Sequence, residues 1–190
     1  MAVTDLLTVE VWTLKGIVRY HVLFIMRLKT REVHLAGVSA SCNGLWMEQI
    51  ARNLTDAMDG VLFGFKYLIH DRDPFFATSF QGILKDAGVN SVIAPRRSPN
   101  LNTFCERFVR SMKHECLDQM IFVGERSLRY TIAEYLEHYH IRNGIIRDSR
   151  VRSYVLSSRT TATEARSQVG DASKECLVTT TATQRDEKKA

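Results

Sequence analysis

Apolar and polar residues alternate along the first part of the chain. This period of two predicts three strands, from Val3 to Trp12, from Gly16 to Met26 and from Glu32 to Ala36. Short turns at residues 13–16 and 29–31 join them. Three consecutive strands joined by short turns form an antiparallel meander, so the chain is expected to open with half of a sheet.

After the meander the spacing of the apolar residues changes. Trp46, Ile50, Leu54 and Met58 recur every four residues, which predicts a helix. The elements that follow alternate: a strand ending at His70, a helix from Phe76 to Ala87, a strand from Asn90 to Ala94, a helix starting at Pro99 and a last helix from Glu125 to His140. Antiparallel strands followed by alternating helices and strands predict an α/β fold in which helices flank a mixed five-stranded sheet.

Composition supports one soluble domain followed by a different kind of segment. The 190 residues are 45% hydrophobic and 25% charged, a globular composition. The longest apolar run, Val22 to Met26, is too short to cross a membrane. We therefore expect a cytoplasmic protein with no membrane partner. Residues 1–140 carry the periodic pattern, whereas residues 141–190 are rich in Ser, Thr and Arg and predict a divergent, disordered tail.

Charge is informative only where it is local. Most of the net charge of +5 comes from residues after His140, so the overall value says little about the folded part. Between Pro95 and Lys113, however, basic residues far outnumber the single acid, Glu106. Such a cluster predicts a surface that contacts phosphates. The four cysteines include no CxxC pair, so neither a zinc ribbon nor a disulfide framework is indicated.

Three acidic residues occupy positions that ordinary surface acids seldom share. Asp5 falls on an otherwise apolar face of the first strand, where a carboxylate is costly unless a cation or a donor meets it. Asp71 directly follows a buried strand, and Glu106 lies in an amphipathic helix that Ser98 caps and Pro99 opens. Each acid alone suits a salt bridge or a helix cap. Together, joined by a right-handed crossover, they predict one site.

The residues around these acids resemble the motifs of a known family. The matching blocks are Thr4-Asp5-Leu-Leu-Thr8, then His70-Asp71-Arg72-Asp73 with Phe75-Phe76, then Ser98-Pro99-Asn100 with Glu106-Arg-Phe-Val-Arg110 and Lys113-His-Glu115-Cys-Leu-Asp118. As a set they resemble the catalytic cores of the DDE integrases and transposases, the retroviral-integrase-like family of bacterial insertion sequences. The likeness runs from about Val3 to about Tyr139 and is lost beyond it.

The resemblance implies a ribonuclease-H-like fold and a metal-dependent reaction on DNA. Asp5, Asp71 and Glu106 would be the catalytic acids and the ligands of two Mg²⁺ or Mn²⁺ ions, with Asp5 bridging the ions. The implied reaction is DNA cleavage followed by strand transfer, with water and then a 3′-hydroxyl as the nucleophile. Asp71 is carried over as the second acid because it directly follows the apolar strand, and the role of Asp73 stays open.

Partners and alternatives follow from the same reading. DNA contacts are expected from Arg96, Arg97, Asn102, Arg110 and Lys113. The partners would be element ends and target DNA, held by a homodimer or a larger assembly. The chain starts almost at the first strand, without the N-terminal DNA-recognition module typical of such transposases, so it is expected to be a fragment. Two alternatives stay open: a ribonuclease-H-like nuclease, and a catalytically inactive DNA-binding remnant.

Overall fold

A mixed sheet with helices on both faces forms the described part of the chain. The computed structural model describes residues 1–94 and 99–145, without the side chains of residues 99–102. The strands are β1 (Ala2–Thr13), β2 (Gly16–Arg27), β3 (Val33–Ser39), β4 (Tyr67–His70), β5 (Asn90–Ile93) and β6 (Phe122–Val123). The helices are α1 (Gly44–Leu54), α2 (Thr78–Asp86), α3 (Pro99–Glu115) and α4 (Gly124–Arg142), with a 3-10 turn at Leu117–Gln119.

The order of the strands is β3-β2-β1-β4-β5, and β6 pairs with the far end of β1. Strands β1 to β3 are antiparallel, whereas β4 and β5 run parallel to β1 and to each other. The meander and the alternating second half are therefore confirmed. The sheet has six strands rather than the predicted five. The sequence did not predict β6, because this strand is only two residues long and too short to show a period.

Each face of the sheet has its own hydrophobic core. On one face, Val3, Leu7 and Val9 of β1 belong to a cluster completed by helices α3 and α4. On the other, Ala2 belongs to a cluster completed by α1 and α2. Because successive residues of a strand point to opposite faces, Asp5 shares the face of Val3 and Leu7. The predicted isolation of Asp5 among apolar residues is confirmed.

Helix α3 packs on the sheet through residues spaced three and four apart. Cys105, Phe108 and Met112 are buried there, as the helical pattern predicted. The ring of Phe108 meets that of Phe24 on β2 edge to face, with centroids 5.5 Å apart. This contact sets the height of α3 over the strand next to β1, and so positions the rest of the helix over Asp5.

Two helices differ from the prediction at their ends. Helix α1 stops at Leu54 instead of continuing to Met58, because the Asp56 carboxylate accepts hydrogen bonds from the N–H groups of Met58 and Asp59 at 2.8 and 3.2 Å. Helix α2 starts at Thr78 instead of Phe76, for the local reason described below. Apolar spacing alone does not reveal such side-chain turns.

The last two segments of the prediction have different outcomes. Helix α4 buries Leu128, Ile132 and Leu136 and ends at Arg142, close to the predicted His140. The tail lies outside the described residues from position 146 onwards, so its predicted disorder stays a prediction. No helix of residues 1–94 or 99–145 is both long and apolar enough to cross a bilayer.

Candidate active site

Asp5 and Asp71 are brought level by the pairing of two parallel strands. β1 and β4 pair Val3 with Ile69, and both side chains are buried in the core beneath α3 and α4. Continuing this register by two residues along each chain places Asp5 opposite Asp71, which follows the last residue of β4. Neighbouring strands lie about 4.8 Å apart, so the two carboxylates are neighbours on the face that α3 covers.

Glu106 is close enough to this pair for its charge to act on Asp5. Burial raises the pKa of Asp5 to about 6, and the negative charges of Asp71 and Glu106 add to that increase. A hydrogen bond from the Leu6 N–H, 2.9 Å from the Asp5 Oδ1, opposes it, as does the positive charge of Lys113. The three acids predicted from the sequence are thus brought within electrostatic range of one another.

The thiol of Cys105 is also close enough to the three acids for their charges to raise its pKa. The thiol is fully buried where α3 meets the sheet, and burial raises its pKa far above the ordinary value. The charges of Asp5, Asp71 and Glu106 all raise it further. All three acids therefore lie within electrostatic range of this one buried sulfur.

The donor chemistry of the cluster suits a hard divalent cation. Carboxylate oxygens are the ligands that Mg²⁺ and Mn²⁺ prefer, and the repulsion felt by Asp5 is what a cation would relieve. As the side chains stand, however, the described residues contain no group of three or more His, Cys, Asp or Glu arranged to hold a metal. The acids are close enough to repel one another without forming one ligand set.

Of the five residues predicted to contact DNA, the structure describes the side chains of two. Lys113 is exposed on α3 and close enough to lower the pKa of Asp5. Arg110 is exposed on the same helix, one turn after Glu106. Arg96 and Arg97 lie outside the described residues, and for Asn102 only the backbone of α3 is described. DNA contact by any of the five stays a prediction.

Asp73 has a structural task of its own. Its Oδ1 accepts a hydrogen bond from the Phe75 N–H at 2.9 Å, and its carbonyl oxygen accepts one from the Phe76 N–H at 3.1 Å. These bonds close a turn between β4 and α2, which is why α2 starts later than predicted. The charges that raise the pKa of Asp5 come from Asp71 and Glu106. The assignment of Asp71 as the second acid stays a prediction.

The sequence analysis did not predict a role for His70, a buried histidine next to Asp71. His70 is 2% exposed, and its ring lies 4.5 Å from that of Phe76. Its Nδ1 is 2.6 Å from the carbonyl oxygen of Asp71, and its Nε2 is 2.6 Å from the Oγ of Ser91 on β5. The available signal was a polar residue inside a buried strand, since a buried imidazole needs hydrogen-bond partners.

Comparison with known families supports the reading of the third acidic block. Residues 87–142 match the family model described as "Integrase core domain". The matched stretch runs from the end of α2 to the end of α4 and contains Glu106. The resemblance to integrase cores is thereby confirmed over this part of the chain. No curated protein matches the chain.

Comparison with solved structures concerns the fold. The catalytic domain of Mos1 mariner transposase superposes with a TM-score of 0.54 at 14% identity, over 72% of this chain and 69% of that one. The catalytic core domain of BIV integrase gives a TM-score of 0.43 at 16% identity, over 60% of this chain and 66% of that one, just under two thirds of its length. The fold is ribonuclease-H-like, as the sequence predicted.

Proposed function

We propose that this chain is the catalytic domain of a DDE transposase or integrase, which cuts DNA and joins the cut end to target DNA by phosphodiester transesterification. One observation carries the proposal: on a ribonuclease-H-like sheet, the charges of Asp71 and Glu106 raise the pKa of the partly buried Asp5. The match of residues 87–142 to the integrase core domain supports the same class of activity.

The acids are proposed to hold two Mg²⁺ or Mn²⁺ ions. Divalent ions stabilise the negative charge that develops on the attacking and leaving oxygens when a phosphodiester bond is exchanged. Asp5 lies on the central strand of the sheet and is the most buried of the three. Asp71 and Glu106 are exposed, so their side chains have room to turn toward a shared cation.

The remaining residues of the site would position DNA. Lys113 places a positive charge beside Asp5, where a phosphate would also approach. Contacts from Arg96, Arg97, Asn102, Arg110 and Lys113 are proposed to be with phosphates. Such contacts fix position and carry little sequence information.

Two DNA ends have to be brought together in such a reaction, so we propose a homodimer or a larger assembly on DNA. The proposed location is the cytoplasm.

Two other functions fit the same fold: a metal-dependent nuclease, and a DNA-binding remnant without catalysis. The three can be separated in one gel assay with labelled donor and target DNA in Mn²⁺. A joined product identifies a transferase, a shortened product alone a nuclease, and a mobility shift without product a remnant.

Variants of the three acids provide the test of mechanism. Asp5→Asn, Asp71→Asn and Glu106→Gln each remove a ligand charge with little change in volume, so each is expected to abolish joining while circular dichroism stays that of the wild type. Asp73→Asn is the matched control, because an Asn side chain can still accept the Phe75 N–H bond. It should join DNA at the wild-type rate. Joining by any of the first three at that rate would refute the assignment.

A further inference from the structure

His70 lies behind Asp71, on the face of the sheet opposite the acids. Ile69 belongs to the core under α3 and α4, whereas Leu68 belongs to the core under α1 and α2. By alternation His70 points to the side of Leu68, and its ring indeed packs on Phe76 of that second core. The imidazole therefore reaches Asp71 through the backbone and leaves the Asp71 carboxylate free to face Asp5.

We propose that His70 is a positioning residue, whose Nδ1–H, with Ser91 on the other ring nitrogen, holds the backbone of Asp71 in place from the reverse face of the sheet. The inference rests on the proposed function only where it treats Asp71 as a metal ligand. The hydrogen-bond arrangement itself stands on geometry alone.

The tautomer follows from the chemistry of the two partners. A backbone carbonyl oxygen can only accept, so the 2.6 Å contact between Nδ1 and the Asp71 oxygen requires a hydrogen on Nδ1. In the neutral ring Nε2 then has a lone pair and accepts a hydrogen bond from the Ser91 hydroxyl, 2.6 Å away. Both ring nitrogens are thereby satisfied, as burial requires.

The bond to Asp71 holds the first residue after the end of β4. The last ladder bond of β4 runs from the Ala94 N–H to the His70 carbonyl at 2.9 Å, and the strand ends there. Asp71 follows and would otherwise begin a free loop. By holding the Asp71 carbonyl, the ring restricts the rotation that would swing the carboxylate away from Asp5. Such outer partners of a ligand commonly change metal affinity by about tenfold or more when they are lost.

The first experiment reads the tautomer directly, in the full chain without metal. ¹⁵N NMR of histidine-labelled protein distinguishes a protonated from an unprotonated ring nitrogen, and loss of one set of signals in His70→Asn assigns the residue among the six histidines. With the imidazole neutral, Nδ1 is expected to carry the hydrogen and Nε2 to be bare. A hydrogen on Nε2 instead would overturn the proposal.

The second experiment measures Mn²⁺ binding and the joining rate in matched variants. His70→Leu removes both hydrogen bonds and should weaken Mn²⁺ binding about tenfold. His70→Asn keeps a donor near the position of Nδ1, so it should recover most of that affinity. Ser91→Ala should show a smaller loss than His70→Leu. In all three variants DNA affinity should stay unchanged while the joining rate at saturating DNA falls in the same order as the Mn²⁺ affinity.

A stability control separates positioning from general damage. Ile50 is buried in the same core as Phe76, but on α1, so Ile50→Ala lowers the melting temperature without touching Asp71. If it weakens Mn²⁺ binding as much as His70→Leu does, or if His70→Leu binds Mn²⁺ like the wild type, the proposal is wrong. A wild-type chain that neither binds Mn²⁺ nor joins DNA would instead refute the proposed function, and the NMR result would still decide the tautomer.

Discussion

At the scale of single residues, the burial of Asp5 controls the charge of the site. The carboxyl group is half-buried on a strand between apolar neighbours, and its pKa of about 6 leaves it partly protonated in mildly acidic solution. Asp71 and Glu106 are exposed and contribute their charge to Asp5 from outside. The stability of the protein without metal should therefore depend on the ionisation of this one group.

The sign of that dependence follows from the direction of the shift. Asp5 binds its proton more tightly in the folded chain, with a pKa of about 6, than an ordinary aspartic acid does, with a pKa of 3.8. Well below pH 4 both states are protonated and nothing is lost. As the pH rises through 6 the folded chain has to ionise a buried acid, and stability falls by at most roughly 3 kcal/mol.

Asp5→Asn should abolish this loss. In urea denaturation with EDTA, the free energy of unfolding of the variant should rise relative to that of the wild type from about pH 4 to about pH 7, and then level off. Saturating Mn²⁺ should stabilise the wild type and not the variant. Asp73→Asn is the control, and its difference from the wild type should not grow over this interval. Parallel curves for Asp5→Asn and the wild type would contradict the assigned pKa.

The residues of the site differ in how visible they are in the sequence. Asp5 could be predicted because it breaks an apolar face, and Glu106 and Lys113 because helical spacing places them together. His70 and Ser91 could not be paired, because their hydrogen bond depends on the relative register of β4 and β5. The spacing of ligand oxygens also depends on side-chain rotamers, which a one-dimensional pattern does not contain.

At the scale of elements, the contact of α1 with β3 depends on a missing side chain. Gly37 lies in β3 beneath the helix, and a Cβ atom placed there would be 2.5 Å from the Ile50 Cδ1 and 2.9 Å from the Trp46 Cζ2. Real Cβ atoms do not approach other carbons so closely, so the side chains of Ile50 and Trp46, or the helix that carries them, would have to shift. A glycine in a strand interior here marks close approach of a helix.

Gly37→Ala is expected to destabilise the fold by about 1–3 kcal/mol, the usual range for overpacking a core. Gly82→Ala is the matched control, because Gly82 lies inside α2 with open space around its missing Cβ. That change should be neutral or stabilise the protein by up to about 1 kcal/mol. Thermal melts of both variants and the wild type provide the measurement. Equal melting temperatures for the two variants would mean that α1 lies farther from β3 than described.

Elements were predicted well wherever one period governed a long stretch. β1 and β2 are 12 residues long each and α4 is 19, and their limits agree closely with those predicted from the sequence. The errors fall where a side chain competes with the backbone pattern, at Asp56 after α1 and at Asp73 before α2. The strand β6 was missed because its existence depends on pairing with Trp12 and Val11 of β1.

At the scale of the whole molecule, the sheet separates two layers of helices, and both layers carry exposed cations. Helix α3 carries Arg107, Arg110 and Lys113 as exposed cations on the side of the acids. The opposite layer has exposed cations too, such as Lys85 on α2, but they lie on the other side of the sheet from Asp5. If DNA approaches the acids, the cations of α3 should contribute to affinity and those of α2 should not.

Salt dependence of DNA binding tests this division. Each phosphate contact releases counterions, so its loss flattens the slope of log affinity against log salt by about 0.9 units. Arg110→Ala combined with Lys113→Ala should therefore flatten the slope by about one to two units and weaken binding to the same extent for DNA of different sequences. The measurement is a titration of DNA at several salt concentrations.

The matched control removes the same charge elsewhere. Lys15 and Lys85 are exposed, on the β1–β2 turn and on α2, so Lys15→Ala with Lys85→Ala lowers the net charge equally and should leave the slope unchanged. A chain lacking residues 157–190 should lose less catalysis than the α3 variant. The sequence predicts that this segment is disordered, and a disordered segment loses conformational entropy with every contact that it makes to DNA. An unchanged slope in the α3 variant, with a large change on truncation, would mean that the tail holds the DNA and that α3 does not face it.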